Sequence, residues 1–133
     1  MNTPIDEAAI RAMVDHFYTQ VRQDPLVGPV FEARVGGRWP AHLDKMVDFW
    51  SSALLRTGRF SGNPRAVHAA IPGLSDRHFA RWLALFEETL AVVFDADTAA
   101  FILRRAELMA GGLMRGIANA RPGLPMTERP RTA

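Results

Sequence analysis

The sequence contains no cysteine. This absence excludes disulfides, thiolate zinc sites, iron–sulfur clusters and cysteine nucleophiles from any interpretation of the chain. Long apolar runs are also missing, since none approaches the roughly 18 residues that a membrane-spanning helix needs. The N-terminus lacks a basic region followed by an apolar region, which is the pattern of a signal peptide. The sequence therefore predicts a cytoplasmic protein that does not contact a membrane.

Lysine is scarce, and the distribution of positive charge argues against a nucleic-acid partner. Lys45 is the only lysine, so arginine supplies nearly all of the positive charge behind the net charge of +2 and the pI of about 9.9. A basic pI alone would be compatible with nucleic-acid binding. The arginines, however, are spread singly along the predicted helices, and Arg121, Arg129 and Arg131 lie in a proline-rich C-terminal segment. We interpret this pattern as solvated helix faces followed by a basic tail.

Common catalytic motifs are absent as well. The chain has no G-x-S-x-G nucleophile elbow, no H-E-x-x-H zinc helix, no G-x-G-x-x-G and no P-loop. No pair of carboxylates stands at helical spacing on an apolar stripe, which excludes the Glu-x-x-His pattern of a non-haem di-iron bundle. Any chemistry of this protein must therefore come from another set of residues.

Helical periodicity, in contrast, runs along the chain to about residue 120. Thr3 is predicted as the N-cap of the first helix, because Pro4 suits the first helical position. Further helices are predicted over residues 26–35, 39–56, 76–93 and 98–120, with a brief one between Asn63 and Pro72. No stretch alternates with a period of two residues. The sequence predicts a single all-α domain over residues 1–120, followed by a disordered Arg/Pro-rich tail over residues 121–133.

Two of the four histidines are predicted to point toward the core. His68 stands on the brief helix, and His42 lies on the apolar face of the helix over residues 39–56. Either one alone would more usually be a core histidine with a hydrogen-bond partner. His16 points to the opposite side of its helix and is expected to be solvent-exposed. His78 lies off the apolar stripe, in a first helical turn where the helix dipole favours its neutral form.

The faces beside the two inward histidines are unusually rich in aromatic rings. These rings belong to Phe17, Tyr18, Phe31, Phe49, Trp50, Phe79, Trp82 and Phe86. Tyr18 and Trp82 also bring hydrogen-bond donors. An axial imidazole, an apolar slot and donors on the open side are what haem requires. Because an aromatic stripe is more often only core, the alternative is a haem-free helical module that binds a partner through an aromatic groove.

The order and spacing of short motifs resemble the truncated haemoglobins, and within them the third group. The motifs are F-Y-x-x-V-R-x-D (17–24), G-P-x-F (28–31), W-x-x-H (39–42), F-W (49–50), G-x-P-x-x-x-H (62–68) and H-F-x-R-W-L-x-L-F (78–86). The resemblance covers roughly residues 5–118. The glycine pairs at the helix corners of groups one and two are not apparent, in agreement with group three.

This resemblance implies a truncated globin, a two-over-two helical sandwich that binds haem b. It implies that His68 is the proximal ligand of the haem iron. Tyr18 and Trp82 would be hydrogen-bond donors on the distal side, and His42 would gate the haem mouth. The residues expected to line the haem are Phe31, Met46, Phe49, Trp50, Phe79 and Phe86.

A globin of this kind is expected to bind O2, NO and CO. Hydrogen bonds from Tyr18 and Trp82 to bound O2 would each add roughly 1.5–3 kcal/mol and slow its release. This favours redox chemistry on the ligand, such as NO dioxygenation or peroxide activation, over O2 transport. No reductase domain accompanies the helices, so such an enzyme would need an external electron donor. The chain is expected to be a monomer, with a weak dimer as the alternative.

Overall fold

The computed structural model describes residues 4–120, and this part of the chain is helical and contains no strand. In order, the helices are α1 (Glu7–Gln23), α2 (Gly28–Val35), α3 (Trp39–Leu55), α4 (Pro64–Ala69), α5 (Asp76–Val93) and α6 (Ala96–Ala120). The prediction of an all-α domain is therefore confirmed for the described residues. The tail predicted over residues 121–133 lies outside them. No helix in residues 4–120 is both long and apolar enough to span a membrane.

The helices pack in two layers. In one layer α1 packs on α3, and in the other α5 packs on α6, while α1 and α5 contact each other across the layers. α2 lies against α1, and α4 lies against α6. The large apolar side chains that are completely buried in this core are Ile10, Met13, Phe17, Phe86, Leu90, Ile102 and Ile117. They recur at helical spacing on α1, α5 and α6, which agrees with the helical periodicity of the sequence.

The helix starts are set by side-chain caps. Asp6 is the N-cap of α1, and its Oδ1 accepts a hydrogen bond from the backbone N–H of Ala9 at 2.8 Å. The prediction of Thr3 as the cap was wrong, because the carboxylate of Asp6 also interacts favourably with the helix dipole and starts the helix about one turn later. α4 begins as predicted, since Asn63 Oδ1 accepts from the backbone N–H of Ala66 at 3.1 Å.

A buried carboxylate connects the end of α1 to α5. Asp24 accepts hydrogen bonds from the backbone N–H groups of Leu26 (3.0 Å) and Val27 (2.9 Å) and from Nε of Arg81 (2.7 Å). Burial alone would raise the pKa of Asp24, but the hydrogen bonds from Val27, Arg81 and Leu26 outweigh it and lower the pKa below its ordinary value. The ionised carboxylate therefore fixes the turn from α1 into α2.

Replacing Asp24 with alanine is expected to lower the free energy of unfolding by roughly 1.5–3 kcal/mol at neutral pH, because hydrogen bonds to a charged group are lost. The folded-state pKa is depressed. The contribution is therefore fully present above the unfolded-state pKa of about 3.9 and disappears as the pH falls through the lower folded-state pKa. Chemical denaturation of both proteins as a function of pH measures the difference.

Asp15→Ala is the matched control for this prediction. Asp15 forms an exposed ion pair with Arg11 at 3.4 Å on α1. Removing such a surface pair changes stability by less than about 1 kcal/mol. If Asp24→Ala were as stable as Asp15→Ala at neutral pH, the structural role of the buried carboxylate would be refuted.

Candidate functional site

A cavity of about 460 Å³ opens between α3, α4 and α5, with further contributions from α1, α2 and α6. Its volume lies within the range of about 300–1,000 Å³ that is typical of small-molecule and cofactor sites. Nine of the ten site residues predicted from the sequence line it, namely Tyr18, Phe31, His42, Met46, Phe49, Trp50, His68, Phe79 and Trp82. The fold thus brings side chains from five successive helices, α1 to α5, to one predominantly apolar cavity.

Phe86 is the predicted site residue that does not line the cavity. Its side chain is completely buried, and its ring stacks on Trp50 and on Trp82 with centroid distances of 5.1 Å and 5.2 Å. The expectation that Phe86 lines the cavity is therefore corrected. Because the two indoles line the cavity and the Phe86 ring stacks on both, Phe86 supports the wall from behind.

The position of His68 follows from the short helix α4. Pro64 occupies the first turn, and its carbonyl oxygen lies 2.7 Å from Nδ1 of His68. A carbonyl oxygen can only accept, so Nδ1–H donates this hydrogen bond and Nε2 keeps its lone pair. The ring of Phe79 lies beside the imidazole, with a centroid distance of 6.2 Å. His68 is thus held in the tautomer that leaves Nε2 available as a metal ligand.

Tyr18 and Trp82 bring polar groups to aromatic parts of the cavity wall. The Tyr18 ring packs against Phe31 and His42, with centroid distances of 5.5 Å and 5.1 Å. Burial raises the pKa of Tyr18, so its hydroxyl stays protonated and can donate a hydrogen bond. Within residues 4–120, no group forms a hydrogen bond with the Tyr18 hydroxyl or with Nε1 of Trp82. Both donors are therefore available to a bound molecule.

His42 carries a buried nitrogen without a partner. In the described part of the chain, no group forms a hydrogen bond with its buried Nε2. Burial, and to a lesser extent the positive charge of Lys45, lowers the pKa of His42 and favours the neutral ring. Leaving a buried polar group unpaired costs roughly 1–3 kcal/mol. Such an atom in a cavity wall indicates a place where a ligand with a polar atom fits.

The two other histidines differ from expectation in different ways. His16 was predicted to be solvent-exposed, but it is half-buried, and its Nδ1 lies 3.2 Å from Oγ1 of Thr89 because α5 covers this side of α1. His78 was placed off the core, yet it lines the cavity. Its Nδ1 accepts from the backbone N–H of Ser75 at 3.2 Å. Burial and the neighbouring Arg77, rather than the helix dipole alone, lower the pKa of His78.

Positive charge at one edge of the cavity is a further feature that was not predicted from the sequence. Arg34, Arg38 and Lys45 line this edge and are solvent-exposed. They lie off the apolar stripes, so periodicity does not single them out. Their placement on either side of the predicted break between α2 and α3 was the signal that could have found them. A bound molecule with carboxylates at one edge would meet these cations.

No protein-family model matches the chain. The group 3 truncated haemoglobin ctb of Campylobacter jejuni is 34% identical over 109 residues, covering 80% of this chain and 86% of that protein. The crystal structure of group III truncated haemoglobin from Campylobacter jejuni has a TM-score of 0.83 and 31% identity, covering 88% of this chain and 95% of that chain.

A second solved structure supports the architecture. The 2/2 haemoglobin of Synechococcus sp. PCC 7002, in the cyanomet state and with covalently attached haem, has a TM-score of 0.69 and 24% identity, covering 86% of this chain and 94% of that chain. At this identity the similarity concerns the fold alone. The predicted two-over-two helical sandwich is thereby confirmed. Given its similarity to the Campylobacter protein over most of both sequences, the chain belongs to the group III truncated haemoglobins, a family of haem-binding globins.

Proposed function

We propose that the cavity binds haem b and that Nε2 of His68 is the axial ligand of its iron. The observation that carries this proposal is the 2.7 Å hydrogen bond from Nδ1 of His68 to the Pro64 carbonyl. A carbonyl oxygen that accepts from one imidazole nitrogen fixes the ring orientation and makes the other nitrogen a better ligand. The short helix α4 therefore presents one oriented imidazole to an apolar cavity.

The rest of the cavity suits an apolar, flat group with acidic substituents. Rings of Phe31, Phe49 and Phe79 supply apolar walls, and the cations at one edge suit the propionate carboxylates of haem. The sequence has no cysteine, so the thioether attachment of c-type haem has no anchor in this chain. This favours haem b held by its axial ligand and by packing.

Haem would supply an iron that coordinates O2, NO and CO. To such a ligand the chain would offer Tyr18, Trp82 and His42, which line the same cavity as His68. The hydroxyl of Tyr18 and the indole N–H of Trp82 donate hydrogen bonds to a diatomic ligand, most strongly to one that carries negative charge. The neutral ring of His42, which lines the cavity, would act as a gate for the entry of this ligand.

Strong retention of O2 is the functional consequence of two such donors. A charge-assisted hydrogen bond contributes roughly 1.5–3 kcal/mol, so the two together slow release far below what a transport protein requires. The proposed role is therefore redox chemistry between O2 and NO, or with peroxide, supplied with electrons by an external donor. The alternative occupant of the same cavity is a partner that inserts an apolar segment, and haem titration distinguishes the two.

Absorption spectroscopy of His68→Ala tests the proposed function. Wild-type protein titrated with haem is expected to develop a Soret band and to form a CO adduct after reduction. His68→Ala is expected to lose or weaken both, because the axial ligand is gone. His16→Ala is the matched control, since His16 lies outside the cavity wall. If the wild type forms no Soret band with excess haem, the haem proposal is wrong, and the cavity would then be interpreted as a binding site for a partner.

Tyr18→Phe is expected to speed O2 dissociation by about 10- to 150-fold, which corresponds to the loss of one charge-assisted hydrogen bond. Stopped-flow measurement of the O2 off-rate checks this value, and Trp82→Phe is measured in parallel. CO serves as an internal control because it accepts hydrogen bonds weakly, so its off-rate should change much less. An O2 off-rate that stays at the wild-type value would remove Tyr18 from the set of donors.

His42→Ala is expected to increase the rate of CO association, because the variant widens the mouth of the cavity and removes the gate. The ring contributes contacts to Tyr18 and Trp39, so the stability of the variant is measured by denaturation in the same buffer. Flash photolysis gives the association rate directly. Association kinetics and ligand-bound spectra identical to those of the wild type would show that His42 does not control access.

A further inference from the structure

Trp39 belongs to one of the sequence motifs but has no part in the proposed ligand site. It is the first residue of α3 and is 5% exposed. Its ring lies behind the part of the cavity wall formed by Tyr18 and His42, with centroid distances of 5.8 Å to Tyr18 and 5.5 Å to His42. Tyr18 lines the cavity and its ring contacts Trp39, so the Tyr18 ring connects the cavity to Trp39.

The indole N–H of Trp39 has an acceptor that can take a proton. Nε1 donates to Oε1 of Glu32 at 2.9 Å. The Glu32 side chain is 48% exposed, so its carboxylate can exchange protons with water. Among the described residues, no carboxylate forms a hydrogen bond with Nε1 of Trp50 or Trp82. Trp39 is thus distinguished from the other two tryptophans by this partner.

A cation lies over the same ring. The guanidinium carbon of Arg22 is 4.5 Å from the Trp39 ring centroid, and its Nε is 3.3 Å from Oε1 of Glu32. A positive group at this distance disfavours a second positive charge on the indole. Loss of an electron from Trp39 is therefore easier when the Nε1 proton leaves with it. Glu32 is in position to accept that proton.

We propose that Trp39 is the electron port of the haem site, giving one electron through the Tyr18 ring while its Nε1 proton passes to Glu32. This inference rests on the proposed function. The oxidant is hydrogen peroxide. Bound haem would supply the site at which its O–O bond breaks, one oxygen leaving as water with the two peroxide protons and the other remaining at the iron, while the two electrons taken up would come one from the iron and one from Trp39. The N–H bond of Trp39 breaks, and the products on the chain are a neutral indolyl radical and a protonated Glu32.

Reduction of Trp39 reverses only the proton transfer, because the electron now enters from outside the protein. A one-electron reductant that reaches the edge of the protein at Glu32 restores the indole ring, and Glu32 returns its proton to Nε1. Tyr18 lines the cavity but its hydroxyl has no hydrogen-bonded base in the described part of the chain. An electron lost from Tyr18 is therefore replaced from Trp39, whose ring centroid is 5.8 Å away, and the oxidising equivalent is trapped there.

Peroxide treatment of the haem-loaded protein tests this proposal. Wild type, Trp39→Phe, Glu32→Gln and the control Glu88→Gln are mixed with hydrogen peroxide and frozen for electron paramagnetic resonance. Tryptophan carrying a deuterated ring identifies the indole signal, and peptide mass spectrometry locates stable oxidation products. Glu88 is exposed on α5 and forms no ion pair within residues 4–120, so it controls for loss of a surface carboxylate.

The wild type and Glu88→Gln are expected to give a neutral tryptophan radical, and Trp39→Phe is expected to lose it. Glu32→Gln keeps the acceptor oxygen and all the rings but cannot take the proton. Its radical yield is expected to fall by about tenfold, a change in relative rate that corresponds to about 1.4 kcal/mol. The Soret band, measured on the same samples, reports separately whether haem is bound.

Two results would overturn the assignment of Trp39. One is an undiminished tryptophan radical in Trp39→Phe, which would place it on Trp50 or Trp82. The other is a Glu32→Gln variant that binds haem normally and matches the wild type in radical yield. The Glu32→Gln variant tests the assignment of Trp39 even if Trp39→Phe folds poorly. Absence of a Soret band in the wild type would instead refute the proposed function, and the electron port with it.

Discussion

The hydrogen bond from Nδ1 of His68 to the carbonyl oxygen of Pro64 is the constraint on which the candidate site depends. It lies within a helix of six residues, which is too short to be stable by itself. α4 persists because Asn63 caps its start, because proline fixes the first backbone angle, and because the helix packs on α6. Local chain geometry and tertiary packing thus converge on one imidazole orientation, from which the rest of the site is arranged.

In the part of the cavity wall formed by Tyr18 and His42, the apolar surroundings keep both hydrogen-bonding groups neutral. Burial raises the pKa of Tyr18 and lowers that of His42, so both rings hold their uncharged forms at neutral pH. Cations are confined to the exposed edge formed by Arg34, Arg38 and Lys45. The cavity therefore separates neutral donors, which suit a small ligand, from charges, which suit the carboxylates of a cofactor.

The sequence predicted the fold because the apolar stripes of α1, α5 and α6 are the surfaces that the structure buries. Most of the cavity wall was expected from the family resemblance, and two of the expected residues on α3, Met46 and Phe49, are only half-buried. Features that depend on packing against a neighbouring helix could not be predicted from the sequence. His16 is exposed on an isolated helix, yet α5 brings Thr89 to 3.2 Å from it. Phe86 shares a stripe with Trp82, and only packing shows which of the two faces the cavity.

A cavity along α3 removes apolar contacts that would otherwise hold this helix, and polar contacts hold it at both ends instead. Near its start, Nε1 of Trp39 bonds to Glu32 of α2. Beyond its end, the loop residue Arg59 makes two 2.8 Å bonds to Glu7 of α1 and a 3.1 Å bond to Asp48. These contacts lie outside the cavity wall, so they do not compete with a bound group. α3 can therefore keep its apolar face open to a cofactor, and occupation of the cavity adds stability by mass action.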